Sequence, residues 1–579
     1  MKRLLIFLFL FIFTSIQANS KATDIDVDFD RVGGVYSLYQ FDTLEMVTPP
    51  SGFRPFYISH YGRHGARFVL TDREYNNVYN VLVSAHENEA LNDRGEQLYK
   101  QYIALYPSFY KRGGDLTSIG QEQHYKLAQR MVEAYPEVFR IMADEQYCKS
   151  SSQCLDNIQK VKVEAQSTII PRCILSMASF CQGLIDATTK PYSLSFVNNN
   201  VPSHVLDISS SASKSFMSYL NPYNSENPKV FEGDSDSKSS YSKRMMNEFF
   251  EQKINTSVFA SRLFKDSEYA VAHYDIDRFM QDLFMIASDM QCLAVEDLHL
   301  SSYDIKRLGL DDNHRKMHFF FDYFSPEEMI YLWEWENMRF YIEKGPSLST
   351  DGRSFRLSES LLNELIVRTD ADIAAAEPQV RLRFGHDACI MGLYCLMELD
   401  GWGEVTTVAD SVKYCWQSYN IPMAANLQMV FYRNQNNDII FRFLHNEHDL
   451  KLPIDVYYSS KNGGNVFFYR WEDFKRKYEP IVRKACDFID ESGEATIYGQ
   501  VIYDGRPLQG IEVSDGVISS VTDERGYYFL KSDKQSQIVK VLVPPSNYNQ
   551  DYIPGLNKSM AKTLSRTAAH RERVDFIIN

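Results

Sequence analysis

The chain has 579 residues, 44% of them hydrophobic and 24% charged, with 61 Lys and Arg against 76 Asp and Glu and a formal net charge of −15. Such a length accommodates roughly two to four domains, and the composition excludes a disordered, collagen-like or small disulfide-dense protein. The acidic balance argues against nucleic acid as a partner, which needs a basic face, and against polyanionic ligands unless positive charge is concentrated at one place.

At the N-terminus, Lys2-Arg3 precedes an apolar run from Leu4 to Phe13 and then Thr14-Ser15-Ile16-Gln17-Ala18. This is the charged n-region, short h-region and small-residue exit of a secretory signal. The run falls below the ~20 residues a bilayer span requires. The expectation is an exported chain, periplasmic or extracellular, with no stable membrane span once residues 1–18 are removed. Asp24, Asp26, Asp28 and Asp30 alternate just beyond it and read as a solvated acidic tail rather than a calcium site.

From about Phe53 to Val201 short apolar strands alternate with longer helical patterns, as in a βαβ sheet. Between Pro202 and Lys344 strand signals are few; a polar run at Asn224–Ser242 leads into helical stretches at Asp275–Val295 and Pro326–Ile342. The aromatics of Phe319–Phe324 and Tyr331–Trp335 are expected in the core of this cap. Strand–helix alternation returns from Arg353 to Glu491, with strands at Val380–Phe384, Ala424–Tyr432 and Ile439–Phe443. The tail is dense in short β runs, Ala495–Val501, Gly510–Val513, Gly526–Leu530 and Val539–Val543, punctuated by Asp504-Gly505 and Asp515-Gly516 turns. The expected fold class is therefore α/β. A Rossmann-like mixed-sheet core (residues 19–201 and 345–491) carries a helical cap insertion (202–344) and a small C-terminal β-sandwich (494–579).

The nine cysteines are an odd number for an exported chain. Cys148 and Cys154, close together in a polar loop, are the expected local disulfide. Cys173/Cys181 and Cys389/Cys395 lie within apolar helical patterns and read as core thiols. No His/Cys cluster has zinc-ligand spacing, so no structural metal and no cofactor is expected. His445 and His448, with Glu447 and Asp449, read as a solvated polar turn rather than a metal site.

Three strand-to-helix junctions carry chemistry. The strand-like Phe56–Tyr61 runs into Gly62-Arg63-His64-Gly65-Ala66-Arg67. One imidazole is set there between two guanidinium groups that match phosphate oxygens bidentately, and glycines flank it so that a ligand can approach the backbone. At the second junction, Val161–Gln166 ends in Ser167-Thr168, and Pro171 suits the first turn of a helix to about Ile185. Arg172 then stands at a helix N-terminus, where amides and dipole favour an anion. At the third, the alternating Val380–Phe384 is followed by Gly385-His386-Asp387 and a helix from Ala388 to Leu399. The other His-Asp pair, His448-Asp449, has no helix after it. Open α/β sheets bind ligands where strand C-termini meet helices, so the three junctions are expected to converge on one crevice. His60 reads as a strand residue and Arg73 as a helix-surface cation.

The Arg63–Arg67 segment, Ser167-Thr168…Pro171-Arg172…Ser176, Leu116-Thr117-x-x-Gly120 and His386-Asp387 together resemble the histidine acid phosphatases, the two-histidine clan that includes phytases. Within that clan the chain looks most like the multiple inositol polyphosphate phosphatases. The resemblance spans roughly Phe53–Glu491. It implies that His64 is the nucleophile and forms a phosphohistidine. It implies that Arg63, Arg67, Arg172 and His386 hold the phosphoryl oxygens, and that Asp387 protonates the leaving alcohol of a phosphate monoester, without metal. Two positions depart from the family. Phe68-Val69 follows Arg67 where many members have an aromatic residue and then proline. Ala388 stands where inositol-polyphosphate members often carry a donor Glu. The tail, through Gly499-Gln500-Val501, Val513-Ser514-Asp515-Gly516 and Thr522–Tyr527, resembles the β-sandwich modules attached to calcineurin-like phosphoesterases and carboxypeptidases, which implies a folding accessory or one that docks to an unknown partner, supplying no catalytic groups. Two other readings fit the same residues: a phosphoryl transferase or mutase of the clan, and a non-catalytic binding protein working through its β tail. No Gly-x-Ser-x-Gly, Walker A or His-Glu-x-x-His pattern is present.

Overall fold

A computed structural model describes residues 29–139, 160–193, 206–222, 242–347 except 313–315 and 317, and 354–482 except 400, 407 and 461–465. Of the C-terminal part it describes 496–503, 506–522, 527–531, 538–542, 561–563, 572–574 and 576–578. The secretory-signal segment, the Asp24–Asp28 carboxylates and the Cys148/Cys154 pair lie outside the described residues.

The core is a nine-stranded mixed sheet. Its strands are β1 (Arg54–Arg63), β2 (Val161–Ser167), β3 (Leu206–Ala212), β4 (Val380–Gly385), β5 (Asn426–Arg433), β6 (Ile439–His445), β7 (His448–Asp449), β8 (Val456–Ser460) and β9 (Val466–Arg470), in the spatial order β3-β2-β4-β1-β5-β6-β9-β8, with the short β7 on β6. β3, β2, β4 and β1 run parallel, and β5 joins β1 antiparallel. Alternation along β1 sends Tyr57 and Tyr61 to one face and Ile58 and His60 to the other. On the Ile58 face pack α3 (Ser118–Ala134) and α4 (Pro171–Ser193), through Leu127, Met131, Phe180 and Leu184. On the Tyr57 face pack α8 (Glu359–Ala375), α9 (Asp387–Met397) and α10 (Trp471–Val482), through Leu361, Leu365, Ile390 and Phe474. With helices on both faces, all six residues of β4 are buried.

A second hydrophobic cluster draws on two parts of the chain. α1 (Asp72–Glu87) and α2 (Asp93–Phe109) share one hydrophobic cluster with α5 (Thr256–Leu263), α6 (Ile276–Asp289) and α7 (Pro326–Lys344), including Tyr75, Leu82, Tyr102, Phe279 and Phe320. The Tyr75/Val78/Leu82/Ala85 stripe has helical spacing, which marks a buried face and not its partner. The segment with few strand signals, expected as a helical cap, also supplies β3 to the large sheet; most of the strand's residues are exposed, so no apolar alternation marks it. α7 opens at Pro326, where the expected helical stretch begins, and Ser325 and Glu328 form a capping box at its start.

The C-terminal residues form a five-stranded and a four-stranded sheet around Ile497, Val501, Val513, Tyr528, Val539 and Phe576. No described helix is long and apolar enough to cross a membrane.

Candidate active site

Register explains why three junctions far apart in sequence meet. β4 lies between β2 and β1; Arg63 pairs with Gly385 and Ser167 with Phe384. The C-terminal ends of the three strands are therefore level, and the loops after them leave the sheet at one edge.

The Arg63–Arg67 loop is held from every side. The His64 amide donates to the Gly385 carbonyl (3.0 Å) and the Ala424 amide to the His64 carbonyl (3.0 Å). The Gly65 amide donates to Ser176 Oγ (3.0 Å) and the Ala66 amide to Gln123 Oε1 (2.8 Å). Thr117 donates to the Ala66 carbonyl from its amide (3.0 Å) and from Oγ1 (3.1 Å), and caps α3 by accepting from the Gly120 amide (3.2 Å). Here two backbones nearly touch. A Cβ on Gly65 would lie 2.3 Å from the Gly120 carbonyl oxygen, and one on Gly120 would lie 2.2 Å from that of Ala66. Gly120→Ala is accordingly expected to cost about 1–3 kcal/mol of stability by overpacking. The displaced loop should lower kcat on the order of 10²-fold; thermal melts and steady-state kinetics on one preparation check both.

His64 is 2% exposed. Its Nδ1 lies 2.9 Å from the Gly65 carbonyl oxygen. A carbonyl only accepts, so Nδ1 carries the proton and Nε2 keeps its lone pair. Burial, and then the positive charges of Arg172, Arg63 and Arg67, push the imidazole well below its ordinary pKa. Arg63 is fully buried. Its Nη1 donates to the Val35 (2.7 Å) and Ile421 (2.8 Å) carbonyls, and its Nη2 stands 2.8 Å from Asp387 Oδ2. Arg67 donates to the Phe68 carbonyl (2.8 Å) and lies over the Tyr36 ring, 5.3 Å from its centre. The Nε atoms of Arg63, Arg67 and Arg172 are buried without hydrogen-bond partners among the described residues. Burial, then repulsion from Arg67, pushes Arg172 down to about 10.

The His64 and His386 rings stand edge to face, 5.5 Å apart. The His386 backbone is clamped by Tyr61, whose hydroxyl accepts from the His386 amide (2.9 Å) and lies within donating distance of the His386 and Leu220 carbonyls (both 3.2 Å). Burial, then Arg172, lowers His386 to about 3. For Asp387 burial acts upward, but the Arg63 charge, then that of His386, outweighs it and holds the carboxyl at about 2.

All six residues singled out from the sequence, Arg63, His64, Arg67, Arg172, His386 and Asp387, thus lie in or beside one cluster. His60 is a fully buried strand residue against Phe180 and Phe384, and Arg73 pairs with Glu74 at the surface. His448 pairs with Asp42 and Asp449 with Arg442; no group of His, Cys, Asp and Glu among the described residues is arranged to hold a metal. Sequence reasoning missed Tyr36, Tyr61 and Gln123. Only Tyr61 left a signal, as the last aromatic of the strand feeding the loop.

A family model for the histidine phosphatase superfamily (branch 2) matches residues 62–446, and one for the N terminal of calcineurin-like phosphoesterase matches residues 495–579. Among solved structures, Bifidobacterium longum multiple inositol polyphosphate phosphatase in complex with inositol hexasulfate superposes with a TM-score of 0.57 at 16% identity, covering 77% of this chain and 97% of that one. Its complex with phosphate gives 0.56 at 16% identity, covering 78% and 98%. The phytase from D. castellii gives 0.49 at 14% identity, covering 80% and 86%. No curated protein sequence matches.

Proposed function

Because the chain belongs to the histidine phosphatase superfamily (branch 2) and is a phosphatase, we propose that it is an exported, metal-independent phosphomonoesterase working through a phosphohistidine on His64. The observation that carries this is the pairing of a lone-pair-bearing His64 Nε2 with buried guanidinium groups of unfilled donor capacity. The transferring phosphoryl group spreads negative charge over its equatorial oxygens, and catalysis is largely positioning and positive charge. Arg63, Arg67 and Arg172 supply that charge, the role a metal plays elsewhere, and His386 adds a hydrogen-bond donor to the phosphoryl oxygens. Nε2 attacks phosphorus as the P–O bond to the alcohol breaks, and Asp387 gives its proton to the departing oxygen. Water then attacks the phosphohistidine and returns a proton to Asp387 as the P–N bond breaks and its electron pair returns to Nε2.

The low Asp387 pKa fits this cycle. An arriving phosphoryl group competes for Arg63 and adds negative charge beside the carboxyl, and both effects raise its pKa. The depressed His64 pKa keeps the nucleophile unprotonated where a free imidazole is already charged, which suits acidic conditions. Inositol polyphosphates are the proposed substrates. Support comes from the family resemblance and from the shared fold with a protein solved with inositol hexasulfate. Export is supported by the Lys2–Ala18 signal pattern. The test is phosphate release from inositol hexakisphosphate beside simple phosphate monoesters, with and without a chelator. Undiminished release from the inositol ester in chelator is expected. Strict dependence on added metal would remove the arginine cluster as the electrophile.

A further inference from the structure

Cys173 is fully buried in the first turn of α4, next to Arg172. Its Sγ lies 3.4 Å from the Gly385 carbonyl oxygen and 3.6 Å from His386 Nε2. We infer that Cys173 is a positioning residue, a thiol rotor that holds Nε2 of His386 and so keeps Nδ1–H available to the phosphoryl group. The inference rests on the phosphatase reading above.

Beside the Thr168 side chain, which also hydrogen-bonds the sulfur, the contacts to Gly385 and His386 permit two hydrogen-bond patterns, because a thiol has one proton and accepts as well as donates. With His386 neutral, the thiol donates to Nε2, which fixes the proton on Nδ1. When a phosphate dianion enters and His386 takes up a proton, Nε2–H donates to sulfur and the thiol turns its own proton to the Gly385 carbonyl. Nδ1 is a donor in both patterns. Rotation about the Cβ–Sγ bond lets one side chain serve both protonation states. The backbone has no such freedom, since Tyr61 holds the His386 amide.

The thiol is itself in its neutral form, because burial raises it to about 11. The ionic groups around His386 are Arg172 on the same helix as Cys173, Arg63 and Arg67 on the first loop, its neighbour Asp387, and the imidazole of His64. Three cations facing one imidazole oppose its protonation. A partner that accommodates the extra proton therefore matters most when phosphate is bound.

The test compares Cys173→Val, which removes the thiol proton at the cost of one added carbon, with Cys173→Ser, which keeps a donor and acceptor, in the full-length protein. The readouts are kcat/KM on a chromogenic phosphate ester and the pH dependence of inhibition by inorganic phosphate. Cys173→Val is expected to weaken phosphate inhibition about tenfold, the worth of one hydrogen bond, and to displace its pH profile, whereas Cys173→Ser retains the wild-type profile. In a His386→Ala background Cys173→Val should add nothing. Equal losses in the Val and Ser variants, or the same loss with and without His386, would show that the thiol acts by packing alone and overturn the inference. A wild type that is active and phosphate-inhibited beside unaffected variants overturns it while leaving the phosphatase reading intact. A wild type without either property overturns both.

Discussion

Replacing His64 with alanine is expected to abolish turnover, lowering kcat by at least ~10⁴-fold, as for other enzymes deprived of their nucleophile. The imidazole is bound to the loop at Nδ1 alone, and the loop's own anchors are backbone groups of Gly385, Ala424 and Thr117 with the side chains of Ser176 and Gln123. Removing the ring leaves the arginines in place, so inorganic phosphate should still inhibit binding of other anions while chemistry stops. Rapid acid-sensitive trapping should recover a phosphoenzyme from the wild type and none from the variant. Full activity in His64→Ala would eliminate the phosphohistidine route.

Asp387→Asn should divide substrates by leaving group. General acid catalysis contributes on the order of 10²–10⁴-fold, and an alkoxide needs that proton whereas an activated phenolate does not. The expected result is a loss of that order on alkyl phosphates such as inositol esters and a much smaller one on a nitrophenyl ester. Equal losses would remove Asp387 from the donor role. The sign of a second effect follows from the 2.8 Å contact to Arg63. Asparagine withdraws a negative charge from beside the cations, so inorganic phosphate should bind more tightly to the variant than to the wild type. In the wild type the held-down carboxyl pKa means that donor protonation depends on bound phosphate, and kcat should fall as pH rises past the value that the complex sets.

The junctions were legible because each is written locally. Val380–Phe384 alternates, a glycine ends it, and His386-Asp387 opens a helix; Pro171 marks a helix start beside Arg172. Their convergence was a matter of topology, and the level register of Arg63 with Gly385 and of Ser167 with Phe384 accounts for it. What sequence concealed has physical causes. β3 reads Leu-Asp-Ile-Ser-Ser-Ser-Ala and buries little, so no period betrayed a strand that joins the sheet through backbone pairing. The apolar stripe of α1 shows that a face is buried, yet whether it packs on the sheet or on α6 is decided by partners some two hundred residues away. Tyr36 ends a single 3-10 turn, Gly34–Tyr36, too short to leave a sequence period, and meets Arg67 only in three dimensions.

The contact between Arg63 and Asp387 has a consequence for selectivity. Both hydrogen bonds of Arg63 Nη1 are spent on carbonyl groups and Nη2 faces Asp387, so an anion that takes Nη2 together with the open Nε contends with the carboxylate for Nη2. A tethered competitor acts at an effective concentration set by its geometry, commonly in the millimolar range or above. Chloride, acetate and other monoanions engage one cation at a time and are outcompeted by a group that never diffuses away. A phosphoryl group held as proposed by Arg63, Arg67, Arg172 and His386 together would displace it. On the proposed roles, the Asp387 carboxylate would serve as a filter, built into the chain, against small anions at Arg63.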